Sequence, residues 1–395
     1  MKALKLIGRL LVTLLLLVIL TVGGYVLYLV FQYHRIADDR PLAVRAGADT
    51  ALTGKTFTVG TYNLGFGAYD QAFTFFMDKG EMKDGTKTAG VGSRASSKEA
   101  ARQNTDGAIA SVKTDLGSPD FMFFQEVDEN ADRSHGVNQR GAIETAFDAY
   151  AAAYASNFHS GYLFYPVTNP HGSVNSGILT LSKYKVRDAV RRSFPVDESF
   201  PTKFFDLDRC FTVTTVSVEA GKNLILINVH LSAYDKGGAI RAKQLGMLKA
   251  AMAEAYDNGK NYVIVGGDFN HDIVKAAAGE RGKDSLSEGN GGLADLFPSD
   301  QKKPDWVRQM TIDDLDDGGV YRFAAAENFD KVPTCRATDI AYQKKPDGSL
   351  VNYSVIIDGF IVSKNIEFDK DDVKNIDNDF RYSDHQPVWM RFSLV

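Results

Sequence analysis

One short run of residues constrains the fold more than any other part of the chain. Residues 262–265 are four β-prone apolar residues, and they predict a buried strand. A glycine pair ends this run and allows another backbone or a ligand to approach closely. Asp268 and Asn270 follow, two residues apart, so that a carboxylate and a carboxamide can face the same way. On its own, this segment also suits an Asx-type turn without a catalytic role. If the two side chains form a functional site, they predict hydrolysis at a charged centre.

A β-prone run followed by an ionisable or amide side chain occurs at several further places along the chain. Apolar strands do not require such residues at their ends. If neighbouring strands carry these ends to one rim of a sheet, the result is a cluster of carboxylates, amides and imidazoles. The residues concerned are Asn63 after residues 58–62, Glu126 after 121–125, His230 after 224–229, Asp358 after 355–357, and Asp384 and His385 just before 386–390.

The order of these motifs along the chain carries a resemblance. The set resembles the endonuclease/exonuclease/phosphatase family, the deoxyribonuclease I-like metal-dependent phosphoesterases, from about residue 56 to the C-terminus. The resemblance implies an α/β (α+β) fold, a four-layer sandwich of two packed mixed β-sheets flanked by helices. The motifs are Asn63, Gln125-Glu126, His230, Gly267-Asp268-Phe269-Asn270, Asp358 and Ser383-Asp384-His385.

The residue types favour a hard divalent cation. Glu126 and Asn63 offer oxygen donors, which suit Mg²⁺ or Mn²⁺ far better than Zn²⁺. The chain has seven histidines, and it has no His-x-His or Cys-x-x-Cys motif, so a zinc site is not expected. Asp384 is expected to add a carboxylate to this metal site, directly or through water.

The resemblance implies roles for the other site residues. Asp268, assisted by Asn270, would orient and deprotonate the attacking water. Asp358 would hold His385, whose imidazolium can stabilise the transition state or protonate the leaving oxygen. The resemblance also implies that His230 is a catalytic-site residue, and the sequence leaves open whether it shares this task. Some family members have an additional acid that partners this first histidine, and the sequence does not place it here.

Three further residues are candidates for contact with the substrate phosphate. Asn175 is carried over from the resemblance, with a turn asparagine as the alternative. Arg209 and Arg133 are possible phosphate clamps by their charge alone.

The N-terminus predicts a membrane anchor. Residues 10–31 contain no charge and are long enough to cross a hydrocarbon core of roughly 30 Å. Three basic residues precede the run and two aspartates follow it, so residues 1–9 are predicted to be cytoplasmic and the rest extracytoplasmic. A cleaved signal peptide is the alternative, although the apolar run exceeds a usual signal core and no Ala-x-Ala site follows promptly. We therefore expect a single-pass protein of the cell membrane, with a tether at 32–54 and one catalytic domain at 55–395.

Charge and cysteine content set weaker limits. Of the formal charge of −5, +3 lies in residues 1–53, from six Lys or Arg and three Asp, and −8 lies on the rest. A protein that grips long duplex nucleic acid usually has a basic surface, which this balance does not indicate. Cys210 and Cys335 could form one disulfide outside the cytoplasm or remain two buried thiols.

Periodicity predicts three helices besides the membrane span. They are expected at 97–114, 141–157 and 238–258, where apolar residues recur at three-to-four spacing. Residues 65–94 and 280–317 are predicted as long loops beside the site, and the first is rich in phenylalanine. Loops at an active rim usually decide the substrate.

Together these observations predict a membrane-anchored, metal-dependent phosphodiesterase. The expected substrate is a nucleic acid or a phospholipid head group, and the sequence leaves protein partners undetermined. The alternatives are a phosphomonoesterase for inositol-phosphate-type substrates and a non-catalytic binding module on the same fold.

Overall fold

The computed structural model describes residues 2–47, 50, 52–54, 56–218, 221–233, 238–276, 296–316 and 318–395. Residues 280–295 and 317 of the second predicted loop lie outside this part of the chain. The helices are α1 (Lys2–Gln32), α2 (Lys98–Thr114), α3 (Gln139–Ala146) and α4 (Ala239–Tyr256). The strands are β1 (Arg40–Pro41), β2 (Val44–Arg45), β3 (Thr56–Asn63), β4 (Lys79–Glu81), β5 (Lys87–Ala89), β6 (Phe121–Asp128), β7 (Ala151–Leu163), β8 (Gly172–Ser182), β9 (Val186–Ser193), β10 (Cys210–Ser217), β11 (Asn223–His230), β12 (Asn261–Asp268), β13 (Tyr321–Ala324), β14 (Cys335–Arg336), β15 (Ser354–Val355), β16 (Asp358–Ser363), β17 (Ile366–Glu367), β18 (Val373–Asn375) and β19 (Val388–Leu394).

Two large mixed sheets organise the domain. Sheet I has the strand order β1-β9-β10-β11-β12-β16-β13, and sheet II has the order β17-β19-β3-β6-β8-β7-β2, with β18 also paired to β19. The pair β11–β12 in sheet I and the pair β3–β6 in sheet II are parallel. These two parallel pairs direct four carboxyl strand ends to one rim, and this rim is where the polar residues lie.

Alternation along the strands divides the core into layers. Val59 of β3 and Phe123 of β6 belong to the cluster between the sheets, whereas Tyr62 and Phe124 belong to the cluster beneath α2 and α3. Such alternation is expected of strands buried on both faces. Leu248 of α4 packs with sheet I. The order of layers is therefore α2 and α3, sheet II, sheet I and α4, which confirms the predicted four-layer sandwich.

The glycine pair before Asp268 has a structural role. A Cβ on Gly266 would lie 2.5 Å from the ring of Phe360 and 3.1 Å from that of Phe123, across the sheet interface. Gly267 has φ +137°, and a Cβ there would lie 2.1 Å from the carbonyl oxygen of Val229. A side chain at position 266 would push the two sheets apart, and one at position 267 would push β11 away from β12. Both glycines are therefore needed for close packing.

Two of the three predicted helices are confirmed, and the third is largely wrong. Helix α2 begins after Ser97, whose hydroxyl accepts a hydrogen bond from Ala100 N at 3.0 Å, as an N-cap should. Helix α4 also lies where it was predicted. The helix predicted at 141–157 ends at Ala146, and β7 begins at Ala151. The alanine-rich start of β7 favours a helix locally, but long pairing with β8 overrides this preference.

The C-terminal end of helix α1 and the residues that follow it pack against the domain. Helix α1 is 31 residues long with a mean hydropathy of 2.7 in its most apolar window, enough to cross a membrane. Its side chains are exposed on all sides except near its C-terminal end, where Leu29 is buried. Within the predicted tether, Arg35 forms an ion pair with Asp208 at 2.8 Å, and β1 and β2 pair with β9 and β7.

Both cysteines are buried free thiols. Cys210 lies in β10 of sheet I, and Cys335 lies in β14 beside the site. Of the two alternatives that the sequence left open, the structure has the unpaired thiols.

Candidate active site

Strand register places the predicted site residues beside one another. His230 is the partner of Asp268 in the parallel pair β11–β12, and Asp268 is the partner of Asp358 in the antiparallel pair β12–β16. Directly paired residues lie on the same face of a sheet. Across the interface, Asn63 is the partner of Gln125 in β3–β6. The ends of five strands thus meet at one rim between the two sheets.

A β-bulge turns Glu126 into the site. The pairing of β6 with β8 shifts register between Phe124 and Val127, and Glu126 has φ +53°. Regular alternation would direct it to the opposite face from Gln125, which donates to Asn228 Oδ1 at 2.8 Å in the interior. The carboxylate of Glu126 instead accepts from Asn63 Nδ2 at 3.3 Å and is partly exposed.

The backbone and two amides fix the Asp268 carboxylate. Oδ1 accepts from Asn270 N at 2.8 Å, and Oδ2 accepts from Asn63 Nδ2 at 3.0 Å and from Asn270 Nδ2 at 3.3 Å. Asn270 in turn donates its amide to Leu231 O at 2.8 Å. The Asx-type turn and the site geometry therefore coexist. Burial raises the pKa of Asp268 to about 6. The positive charge of His385 lowers this pKa, and the negative charge of Asp358 raises it further.

Asp358 and His385 form a buried ion pair. His385 Nδ1 lies 2.9 Å from Asp358 Oδ2, which directs Nε2 toward Asp268 Oδ2 at 3.8 Å. Burial disfavours the imidazolium, but the charge of Asp358, its hydrogen bond and the other acidic groups nearby together outweigh this effect and hold the pKa of His385 well above its usual range. This histidine is thus a proton donor facing the carboxylate of Asp268.

His230 is the opposite kind of histidine. Its Nε2 lies 3.5 Å from Asp268 Oδ2 and 3.9 Å from Glu126 Oε1. Burial and then the charge of Arg209 hold the pKa of His230 well below its usual range, so the ring is neutral. Its Nδ1 has no hydrogen-bond partner among the described residues, and the acid that partners this histidine in some relatives is not found there.

The chemistry of the rim fits a hard divalent cation. Glu126 and Asp384 both line the cavity at the rim. Burial raises the pKa of Asp384 to about 7, with a smaller contribution from the charge of Glu126. Within the part of the chain that the structure describes, two groups could hold a metal ion, Asp268 with Asp358 and His385, and Cys335 with Asp384 and His385. Such an excess of buried acid is stabilised by a bound cation. The Oδ1 atom of Asn63 accepts from Gly65 N at 3.0 Å.

The three predicted phosphate contacts differ in position. Arg133 and Arg209 line the cavity at the site, whereas Asn175 does not. Asn175 instead donates to Glu129 Oε2 at 3.3 Å. Arg133 is buried against Asp128, with Nη2 to Oδ1 at 2.9 Å, and Arg209 donates Nη1 to Leu231 O at 2.7 Å.

Two residues at the site had no signal in the sequence. Arg336 is 1% exposed and lines the cavity; its Nη2 donates to Asp70 O at 3.1 Å, and its Nε and Nη1 have no acceptor in the part of the chain that the structure describes. Cys335 pairs through its backbone with His385. Both lie on the short strand β14. This strand lies beside His385 through a contact between segments 50 residues apart, which local sequence patterns do not reveal.

The cluster of carboxylates and histidines at the rim opens into a cavity of about 460 Å³. Its floor carries Glu126, Asp268 and His385, and its walls are largely aromatic and aliphatic. This size lies within the range of small-molecule sites, roughly 300–1,000 Å³, which combine apolar walls with a few convergent polar groups.

A sandwich of two mixed sheets with an acidic, histidine-containing site at its carboxyl rim defines the class of protein. The profile of the Endonuclease/Exonuclease/phosphatase family matches residues 60–385, and the chain belongs to this family, as the resemblance indicated. Its members are hydrolases that act on phosphoester bonds. No curated protein matches this sequence.

Solved structures are similar to this chain at low sequence identity. An endonuclease/exonuclease/phosphatase from Beutenbergia cavernae DSM 12333 has 14% identity and a TM-score of 0.48, over 86% of this chain and 72% of that one. D. rerio TDP2, complexed with a single-strand DNA product, has 14% identity and a TM-score of 0.48, over 85% and 98%. A family protein from Leptotrichia buccalis C-1013-b has 14% identity and a TM-score of 0.47, over 85% and 99%.

Proposed function

We propose that this protein is a membrane-anchored, divalent-metal-dependent phosphodiesterase. The observation that carries the proposal is the meeting of an Asp268 carboxylate and an Asp358-held His385 at the floor of one cavity. A base and an acid on one rim, with hard oxygen donors beside them, suit hydrolysis of an anionic ester.

Glu126, Asn63 and Asp384 would hold the cation, which we propose to be Mg²⁺ or Mn²⁺. When bound, it supplies positive charge against the phosphate oxygens and the developing negative charge of the transition state. Glu126 is suited to this role because the bulge in β6 exposes its carboxylate at the rim.

Asp268 orients the attacking water and accepts its proton. The two hydrogen bonds from Asn270 N and Asn63 Nδ2 fix the carboxylate before substrate arrives. Such pre-organisation avoids the cost of reorienting the base during the reaction. The water oxygen forms a bond to phosphorus, and the bond from phosphorus to the leaving oxygen breaks.

His385 gives the leaving oxygen its proton. Its Nδ1 is engaged by Asp358, so Nε2 is the atom that faces the cavity. His230, with its neutral ring, and the guanidinium groups of Arg209 and Arg133 line the cavity, and in this proposal they contact the phosphate oxygens. Asn175 is not part of this proposal, because it lies away from the cavity.

We propose that α1 anchors the protein in the cell membrane, with the catalytic domain outside the cytoplasm. A helix that is apolar on all sides cannot satisfy its surface in water, and α1 exposes its leucines and valines along nearly its whole length. The basic residues before the span, and the aspartates after it, support the orientation.

The direct test uses the full-length protein and bis-p-nitrophenyl phosphate. We expect p-nitrophenol release with Mg²⁺ or Mn²⁺, loss of release in EDTA, and recovery when the cation is restored. Asp268→Asn should lower kcat by roughly 10²–10⁴-fold, the usual contribution of a positioned base. Asp347→Asn makes the same chemical change at an exposed loop position and should leave kcat unchanged. Full activity in EDTA, or in Asp268→Asn, would contradict the proposal.

A further inference from the structure

The cavity has an aromatic wall that leads away from the catalytic cluster. It begins at Arg133, whose guanidinium carbon lies 3.9 Å from the centre of the Phe66 ring. Ring contacts then join Phe66 to Phe75 at 6.4 Å, Phe75 to Phe76 at 4.9 Å and Phe76 to Tyr165 at 5.6 Å. Phe66, Phe75, Phe76 and Tyr165, here called the aromatic wall, all line the cavity. An apolar path therefore extends from the site to Tyr165, which is 60% exposed.

The segment that leads into the far end of this wall contacts helix α1. Tyr25 of α1 donates its hydroxyl to Tyr162 O at 3.0 Å and accepts from Phe164 N at 3.1 Å. Its ring contacts that of Phe164 at 5.4 Å. Tyr165 directly follows Phe164, so the outer end of the wall is one residue from the segment that binds helix α1.

The inner end of α1 and the cavity also share a hydrophobic cluster. Leu29 packs in one cluster with Phe158 and Leu163, and the latter two residues line the cavity. Tyr25 and Leu29 lie in the last two turns of the apolar span, where a transmembrane helix meets the membrane surface. The cavity therefore lies at the height of the bilayer surface when α1 spans the membrane.

Exposed apolar side chains occur in the cavity lining and in segments next to it in the chain. Met77 and Phe205 line it and are 43% and 36% exposed. Phe164 and Val167, beside Tyr165, are also exposed, as is Phe31 at the end of α1. Exposed apolar groups that gather around one opening mark a contact with a membrane or an apolar ligand.

We propose that the aromatic wall receives the hydrocarbon chain of a membrane-lipid phosphodiester. This inference rests on the proposed function and names its substrate class. The phosphodiester would lie at Asp268 and His385 while the chain follows the wall toward α1. Water and the lipid phosphodiester give an alcohol and a phosphomonoester, and the proton lost by the water balances the one gained by the leaving oxygen.

Charge favours a lipid over a nucleic acid as the occupant. The chain outside residues 1–53 has a formal charge of −8. Asp78, Asp197 and Asp206 line the cavity together with the aromatic wall. A strand with a phosphate on every nucleotide would meet these carboxylates, whereas a lipid brings its charge only to the catalytic end.

The test measures how activity depends on alkyl chain length. The substrates are methyl, butyl and octyl p-nitrophenyl phosphates, which share one leaving group, with full-length protein in digitonin micelles and Mn²⁺. Each methylene that enters the cavity should raise kcat/KM about fourfold. We expect kcat/KM to rise by about two orders of magnitude from butyl to octyl.

Two phenylalanines of one loop provide matched variants. Phe205 lines the cavity, whereas Phe200 does not and is 63% exposed. Phe205→Ala should lower the octyl-to-butyl ratio of kcat/KM about tenfold, and Phe200→Ala should keep the wild-type ratio. Partition of the octyl ester into micelles is common to both variants, so the difference between them reports the cavity.

The outcomes separate this inference from the proposed function. Metal-dependent hydrolysis with a ratio near one, or with the same ratio in both variants, overturns the lipid inference and leaves the phosphodiesterase intact. Absence of metal-dependent hydrolysis of every ester overturns both. Faster hydrolysis of a thymidine oligonucleotide than of the octyl ester, lowered in Phe205→Ala but not in Phe200→Ala, would assign the cavity to nucleic acid instead.

Discussion

Asp358→Asn tests whether His385 protonates the leaving oxygen. The substitution keeps the size of the side chain and the backbone hydrogen bond from Asp358 N to Thr334 Oγ1. It removes the negative charge that lies 2.9 Å from His385 Nδ1, in a pair that is 1% and 5% exposed. The effect should therefore be electrostatic, with the fold preserved.

The magnitude follows from the distance between the charges. Two unit charges about 4 Å apart, at an effective dielectric constant of about 20, interact by about 4 kcal/mol. Loss of this stabilisation lowers the pKa of His385 and with it the fraction of enzyme whose His385 carries the proton for the leaving oxygen, which lowers kcat by up to about 10³-fold. The loss applies only where the leaving oxygen needs a proton, because a leaving group that departs as a stable anion does not depend on the acid.

The assay compares two esters that differ in the leaving group. Methyl phenyl phosphate should lose about 10³-fold in kcat in Asp358→Asn, whereas methyl p-nitrophenyl phosphate should lose less than about tenfold. Asp347→Asn is the control, and thermal unfolding checks that both variants are folded. Equal losses on the two esters would refute proton donation by His385.

Three further predictions concern stability and metal binding. Asp128→Asn leaves the Arg133 guanidinium buried without its charge partner, and should lower the free energy of unfolding by about 3 kcal/mol, measured by denaturant titration; a change within about 0.5 kcal/mol would contradict this reading. Burial, with the charge of Arg133, lowers the pKa of His171 from 6.5 to about 3. The contribution of His171 to the free energy of unfolding is therefore full above pH 6.5 and is lost as the pH drops toward 3. At pH 5 the loss is about 2 kcal/mol, and His171→Asn, which retains a donor toward Ser93 O, should remove that part of the pH dependence; the same pH dependence in both proteins would contradict it. Mn²⁺ at about 100 times its Kd should stabilise the wild type by about 2.7 kcal/mol in thermal unfolding, and Glu126→Gln should require far more Mn²⁺ for the same shift, whereas equal shifts would argue against Glu126 as a ligand.

Local patterns in the sequence were sufficient for the family, the strands and most residues of the site. A β-prone run that ends in Asp268, His230 or Asp358 is visible without coordinates, because strand propensity and polarity are properties of adjacent residues. The apolar N-terminal span is visible for the same reason. The four-layer sandwich followed from the resemblance that these motifs carry, and it is confirmed.

Contacts between distant segments decided the rest. The strand β7 replaces a predicted helix because its alanines pair with β8, and the bulge that turns Glu126 into the rim depends on the same partner strand. Arg336 has no local signal, since its neighbours in space come from other loops. Asn175 faces Glu129, which its spacing in the chain did not reveal.

The sequence by itself determined which residues can do chemistry, and the tertiary structure decided what surrounds them. Phe76 and Tyr165 are about 90 residues apart in the chain and 5.6 Å apart in the fold, and Tyr25 lies nearly 140 residues before the loop that it holds. Composition and periodicity report on neighbours within a few residues. The path from the catalytic rim to the membrane helix exists only once long-range packing brings these rings together.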